Sequence, residues 1–106
     1  TSITFICEDG KQFMMYHLQD CCEDVSVEDV IGDLEDLVGT PILKASEDSS
    51  TKNPDGVIKG LQDSFTWTFY NLATIKGSVT IRWYGESNGY YSESVRFIQL
   101  EVEPTP

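Results

Sequence analysis

The chain of 106 residues carries 18 acidic and 7 basic side chains, which gives a net charge of −11, and 40% of its residues are hydrophobic. A chain of this length buries one hydrophobic core, so we predict a single acidic domain over residues 1–106. Its apolar content excludes a wholly disordered chain, and no apolar run reaches the roughly 18 residues that cross a bilayer. The charge argues against direct binding of nucleic acid or of an anionic membrane. It favours a protein partner with a basic surface.

The cysteines and the start of the sequence bear on the cellular compartment. The first residues lack the basic, apolar and small-residue order of a signal peptide. Three cysteines are present, and two of them, Cys21 and Cys22, are adjacent, which is poor geometry for a bridge between them. We therefore expect reduced thiols and a cytosolic protein.

A β-hairpin is predicted at the start of the chain, where two apolar-rich runs flank Asp9-Gly10. This dipeptide is typical of a two-residue turn, which would pair Glu8 with Lys11. Because strand residues alternate between the faces of a sheet, that register defines a core face. The predicted core face contains Ile3, Phe5, Cys7, Met14, Tyr16 and Leu18.

Residues 27–38 have the periodicity of an amphipathic helix that begins after Ser26 and ends at Gly39. Its apolar stripe contains Val27, Val30, Ile31, Leu34, Leu37 and Val38. The opposite side is acidic and is the predicted partner-binding face, with a plain solvated surface as the alternative interpretation. This acidic face contains Glu28, Asp29, Asp33, Glu35 and Asp36.

The rest of the chain is predicted to be rich in strands. Residues 41–45 predict a short edge strand, and residues 46–60 predict a mobile loop because they are rich in Ser, Asp, Asn, Pro and Gly. Alternating apolar residues after Ser64 predict two strands joined at Lys76-Gly77 and a third after Asn88-Gly89, with a bulge near Phe97. The predicted fold class is α+β, an antiparallel sheet of about five strands with one amphipathic helix packed on it.

One segment combines the side chains that zinc prefers. His17, Cys21 and Cys22 lie near three carboxylates at the end of the first hairpin, and we predict that they bind one zinc ion with a fourth ligand unassigned. The alternative is an exposed histidine beside two packed cysteines, because the spacing fits no common zinc pattern. Catalysis is not expected, since the chain has one histidine and no phosphate-binding loop or nucleophile elbow.

A second cluster is aromatic. Trp67, Tyr70, Arg82 and Tyr84 are predicted near the ends of neighbouring strands. They are either cross-strand pairs at the rim of a sheet or the lining of a ligand pocket, in which Arg82 would meet a phosphate and the rings would stack on a base.

Five stretches carry a family resemblance: residues 17–23, 32–34, 67–70, 73–77 and 82–92. On these the chain resembles a family of small phage and prophage proteins, and within it the anti-CRISPR inhibitors of type II CRISPR nucleases. The resemblance implies a non-enzymatic phage counter-defence protein in the cytoplasm of the infected bacterial host. Such a protein would bind the nuclease through its acidic surface, as a DNA mimic does, and block nucleic-acid loading. It also favours zinc at His17, Cys21 and Cys22.

Two alternatives to this function remain open at the level of sequence. The first is a sponge for a small molecule or nucleotide signal, built on the aromatic cluster. The second is a phage accessory binding protein.

Overall fold

The computed structural model describes residues 2–54 and 64–100. Within these ranges the chain forms seven strands and one short 3-10 helix at Leu34–Leu37. The strands are arranged in two antiparallel sheets, one with the order β1-β2-β7 and one with the order β3-β6-β5-β4. The strands are β1 Ser2–Ile6, β2 Gln12–Tyr16, β3 Asp24–Ile31, β4 Lys44–Ser50, β5 Ser64–Ala73, β6 Ser78–Ser87 and β7 Arg96–Leu100.

The predicted α+β fold is wrong, because the segment expected to be an amphipathic helix continues strand β3 as far as Ile31 and then forms only the short 3-10 helix Leu34–Leu37. Val27 pairs with Trp83 and Asp29 pairs with Arg82, so Glu28 is an extra residue in a β-bulge. The bulge brings Val27 and Val30 to the same face of the sheet although they are three positions apart. A bulged strand therefore imitates the helical spacing, and the β-branched residues of this run favour the strand.

The first hairpin is confirmed, but its predicted register is wrong by one residue. Phe5 pairs with Phe13, and Ile3 pairs with Met15. The turn is longer than two residues, since the Cys7 N–H bonds to the Lys11 carbonyl and Gly10 adopts a φ of +88°. This shift turns Met15 instead of Met14 into the core. Cys7 follows the last residue of β1 and is exposed, contrary to its prediction as a residue of the core face.

The later strands are partly as predicted. β5 and β6 form the expected hairpin, closed by a hydrogen bond from the Thr74 N–H to the Gly77 carbonyl. The predicted third strand exists as β7, but it pairs with β2 in a continuous register that has no bulge. β4 extends through residues 46–50, which were expected to be loop, and residues 55–60 of that predicted loop lie outside the described residues.

The core lies between the two sheets. β6 is central in its sheet and supplies Val79, Ile81 and Trp83 to the core, while β2 supplies Met15 from the facing sheet. The side chain of Trp83 is fully buried, which makes it one of the largest contributors of buried apolar area. No helix in the described part of the chain has the length and hydropathy to cross a bilayer.

Candidate functional site

His17 and Glu23 form a buried pair that closes the loop between β2 and β3. The His17 Nε2 atom lies 2.8 Å from Glu23 Oε2, and the two side chains are 4% and 0% exposed. On the other side of the ring, Nδ1 lies 2.6 Å from the carbonyl oxygen of Ser94. Both ring nitrogens thus lie within hydrogen-bond distance of an oxygen atom, which fixes the orientation of the ring between Glu23 and Ser94.

The Glu23 carboxylate collects hydrogen bonds from its own loop as well. Its oxygens accept from the backbone N–H groups of Asp20 and Cys21, at 3.1 and 2.8 Å, and from the side-chain amide of Gln19 at 3.0 Å. Burial by itself raises the pKa of Glu23, but the hydrogen bonds from Cys21, His17 and Asp20 outweigh it and lower the pKa to about 2. This carboxylate is therefore an ionised anchor for the loop.

The predicted zinc ligands do not converge on one point in this arrangement. Both ring nitrogens of His17 are already hydrogen-bonded, and Cys21 and Cys22 are joined to each other by a disulfide, contrary to the expectation of free thiols. In residues 2–54 and 64–100, no group of three or more His, Cys, Asp and Glu side chains is placed to hold a metal ion. Zinc binding stays a prediction, and it would require the reduced cysteines and a turn of the His17 ring.

The role of Glu23 gives a pH prediction. The folded-state pKa of about 2 lies below the ordinary value of 4.5, so Glu23 stabilises the fold above pH 4.5, and this contribution is lost as the pH falls towards 2. We expect Glu23→Gln to lower the melting temperature by several degrees at neutral pH, with a difference from wild type that closes on acidification. Thermal unfolding of both proteins at a series of pH values measures this difference in melting temperature. Glu8→Gln, at an exposed turn position, is the matched control, and a difference that stays constant with pH would contradict the proposed charge effect.

The aromatic cluster is divided between the two faces of the larger sheet. Trp67 pairs with Tyr84, and their ring centroids lie 4.9 Å apart, with the Arg82 guanidinium 5.7 Å from the centre of the Trp67 ring. Tyr70 pairs with Ile81 and packs in the core against Phe97. The structure therefore does not bring the four residues of the predicted pocket together. It favours the alternative interpretation of cross-strand pairs.

The polar groups of Trp67 and Arg82, on the outer face of the larger sheet, already have hydrogen-bond partners. Trp67 is fully buried, and its indole N–H donates to the side-chain oxygen of Asn53 at 3.0 Å. Arg82 donates two hydrogen bonds to Asp29, a bidentate pair that lowers the pKa of the carboxyl and raises the pKa of the guanidinium. An incoming phosphate would have to compete with Asp29 for Arg82.

The five residues of the predicted acidic face have different local roles. Asp29 is paired with Arg82, and Glu28 is the exposed residue of the bulge. Asp33 caps the 3-10 helix by accepting a hydrogen bond from the Glu35 N–H at 3.0 Å. Asp36 is half-buried and Glu35 is exposed. The five side chains thus do not lie along one helix, and Asp33 and Glu35 are the two that are exposed beside the turn between β5 and β6.

Sequence patterns did not reveal a concentration of exposed apolar side chains at this same end of the larger sheet. Three hydrogen bonds fasten the segment after β3 to the turn between β5 and β6: Thr74 Oγ1 to the Asp36 carbonyl, Lys76 Nζ to the Val38 carbonyl, and the Leu43 N–H to the Ala73 carbonyl. Of the eleven large hydrophobic residues that are exposed in residues 2–54 and 64–100, six lie at this end, namely the last residue of β3, four residues of the segment after it and one of the turn. We call them the apolar end, and they are Ile31, Leu34, Val38, Ile42, Leu43 and Ile75.

The sequence contains only weak signals for the apolar end and for the role of Glu23 as an anchor. Ile42-Leu43 lies in the predicted edge strand after a proline, and Ile75 precedes the predicted turn at Lys76-Gly77, so these apolar residues stand next to positions where solvent exposure is expected. Glu23 is one of the three carboxylates near His17 in the sequence, together with Asp20 and Asp24, and only the loop conformation selects it as the anchor.

Comparison with known proteins gives a family but no described activity. No curated protein and no solved structure matches the chain. The family described as "Domain of unknown function (DUF7448)" matches residues 1–97, which is nearly the whole chain. The chain therefore belongs to the DUF7448 family.

Proposed function

We propose that this domain is a non-enzymatic binding protein that docks its apolar end on a basic surface of another protein. The observation that carries the proposal is the concentration of exposed large hydrophobic side chains at one end of the larger sheet, where Ile75 is 78% exposed and Leu43 is 59% exposed. Apolar side chains that share one surface region and are bordered by charged residues are typical of protein–protein interaction sites. The hydrogen bonds that hold residues 36–43 on the turn between β5 and β6 support a preformed surface.

Charge supports the choice of a basic partner. Asp33 and Glu35 are exposed at the apolar end, and the whole chain carries a net charge of −11. Two lysines, Lys44 and Lys76, also lie at this end, and the Lys76 ammonium group donates a hydrogen bond to the Val38 carbonyl. In this proposal the electrostatic field of the acidic chain increases the rate of association with a basic surface, and the apolar contacts supply most of the affinity.

The resemblance described above makes a type II CRISPR nuclease the first partner to test. Binding at the basic channel of such a nuclease would block nucleic-acid loading without any chemistry by the inhibitor, in the cytoplasm of the infected bacterial host. The sponge alternative has less support, because Tyr70 lies on the opposite face from Trp67 and Arg82 is held by Asp29.

Substitutions at the apolar end test this proposal. We expect the double variant Leu34→Ala, Ile75→Ala to weaken binding to the nuclease by roughly tenfold or more, mainly through faster dissociation. We expect Glu35→Lys to slow association and to reduce its dependence on salt. Association and dissociation rates at low and high salt, with the nuclease immobilised with and without its guide, measure both effects.

Two matched controls separate the docking surface from general effects. Tyr90→Ala removes an apolar side chain that is 83% exposed at the other end of β6, and Glu8→Lys makes the same charge change as Glu35→Lys in the turn between β1 and β2. Both controls should bind nearly as the wild type does. Absence of a complex with the nuclease would exclude this partner. A complex that tolerates the double variant would exclude the apolar end as the docking surface.

A further inference from the structure

In the part of the chain that the structure describes, each sheet has two edge strands, and β1 differs from the other three. Within the described residues, β1 pairs on one side only, with β2. The other edges carry charged side chains that oppose pairing with another chain: Asp24, Glu28 and Asp29 on β3, Lys44, Glu47 and Asp48 on β4, and Arg96 on β7. β1 has the sequence Ser-Ile-Thr-Phe-Ile, with no charge and no proline.

The backbone of β1 offers hydrogen-bonding groups at its free side. The N–H and the carbonyl of Cys7 both bond within the hairpin, to Lys11 and Gly10. Peptide groups alternate in direction along a strand, so Phe5 and Ile3 also bond towards β2. The N–H and carbonyl groups of Ser2, Thr4 and Ile6 therefore point away from the sheet.

We infer that β1 is a pairing edge for a second copy of this chain. Two β1 strands related by a two-fold axis at Thr4 would pair antiparallel, and the six-stranded sheet would have the order β7-β2-β1-β1-β2-β7. In this register Thr4 meets its own counterpart, and Ser2 meets Ile6 of the second copy, at positions whose backbone groups point outward. Ile3 meets Phe5 of the second copy on the core-facing side, where these side chains already pack against the core. Aromatic, β-branched and Thr–Thr pairs of this kind stabilise antiparallel strands, and no like charges face each other.

Salt distinguishes this self-association from docking on a basic partner. Each copy carries a net charge of −11, so two copies repel each other over a distance set by ionic strength. Added salt should therefore strengthen the dimer, whereas it should weaken binding to a basic surface. The inference does not depend on the proposed function, because β1 and the apolar end lie on different sheets.

Mass measured by sedimentation or light scattering over a range of protein and salt concentrations tests the pairing. We expect a concentration-dependent dimer for the wild type that becomes stronger with salt. Thr4→Pro removes an N–H that points away from β2, and Thr4→Lys places two like charges opposite each other, so each should weaken dimerisation by roughly tenfold or more. Ser46→Lys, at an exposed position of the β4 edge, should leave the dimer unchanged.

Hydrogen exchange identifies the strand directly and shows whether the variants are folded. At dimer-forming concentrations the amides of Thr4 and Ile6 should become protected, while the Phe5 amide, which bonds towards β2, should be protected at all concentrations. A wild-type protein that stays monomeric up to millimolar concentration would overturn the inference. So would a dimer that tolerates both Thr4 variants or that leaves the Thr4 and Ile6 amides unprotected.

Discussion

Replacing Trp83 by alanine is expected to lower the free energy of unfolding by about 3–5 kcal/mol. Trp83 is fully buried on the central strand β6 and packs in the core between the sheets. Its removal deletes a large apolar area and leaves a cavity that rigid strands on both sides fill poorly. Chemical denaturation at fixed pH measures the loss, and the slope of the transition should stay close to that of the wild type.

A second substitution separates the ring from its polar atom. The Trp83 indole N–H is buried without a hydrogen-bond partner among the described residues, and such a group costs about 1–3 kcal/mol. Trp83→Phe removes this N–H and keeps most of the ring, so it should lose well under half of what the alanine variant loses. Ile75→Ala, at a side chain that is 78% exposed, should leave stability almost unchanged. An alanine variant at Trp83 that is as stable as Ile75→Ala would show that this tryptophan is not in the core.

Gly32→Ala is expected to cost about 3 kcal/mol, because two penalties act at one position. Gly32 has a φ of +104°, where the chain turns from β3 towards the 3-10 helix. A Cβ atom there would also lie 2.6 Å from the Ser78 carbonyl oxygen, which is closer than a real contact allows. Ser78 pairs with Ala73 of β5, and this pairing prevents Ser78 from moving away freely.

Gly10→Ala isolates the conformational penalty. Gly10 has a φ of +88°, and a Cβ atom at this position would meet nothing within 4 Å. This variant should lose only about 1–2 kcal/mol. Thermal unfolding of both variants gives the comparison, and equal losses would mean that the backbone near Ser78 relaxes without cost.

The hairpin of β5 and β6 could be predicted because its side chains alternate cleanly and a turn signal separates its strands. β3 could not, because its bulge at Glu28 places Val27 and Val30 at a spacing that a helix would also produce. β4 has the sequence Lys-Ala-Ser-Glu-Asp-Ser-Ser, and it is an exposed edge strand without an apolar side that would mark it as a strand. A single residue in the first turn also shifted the hairpin register, since a three-residue loop with Gly10 at positive φ replaces the expected two-residue turn.

The candidate sites depend on contacts between residues that are distant in sequence. His17 was singled out for its neighbours Cys21 and Cys22, but its second hydrogen bond goes to Ser94, which no local pattern indicates. The acidic run from Glu28 to Asp36 was recognised as charged, but the pairing of Asp29 with Arg82 follows from the strand register. The apolar end combines residues from three separate stretches of the chain, so it becomes visible only after the strands have been placed.

The pairing of β7 with β2 bears on how the protein assembles during synthesis. The hairpins β1-β2 and β5-β6 close over short turns, whereas Tyr16 must find Arg96 across most of the chain. Long-range pairings of this kind carry a larger entropic cost and slow folding. Until β7 has left the ribosome, Phe13 lacks the stacked ring of Phe97. The β1-β2 hairpin of the nascent chain then exposes apolar side chains that promote aggregation. We therefore expect chaperones to bind the incomplete chain and to cover this apolar surface during translation.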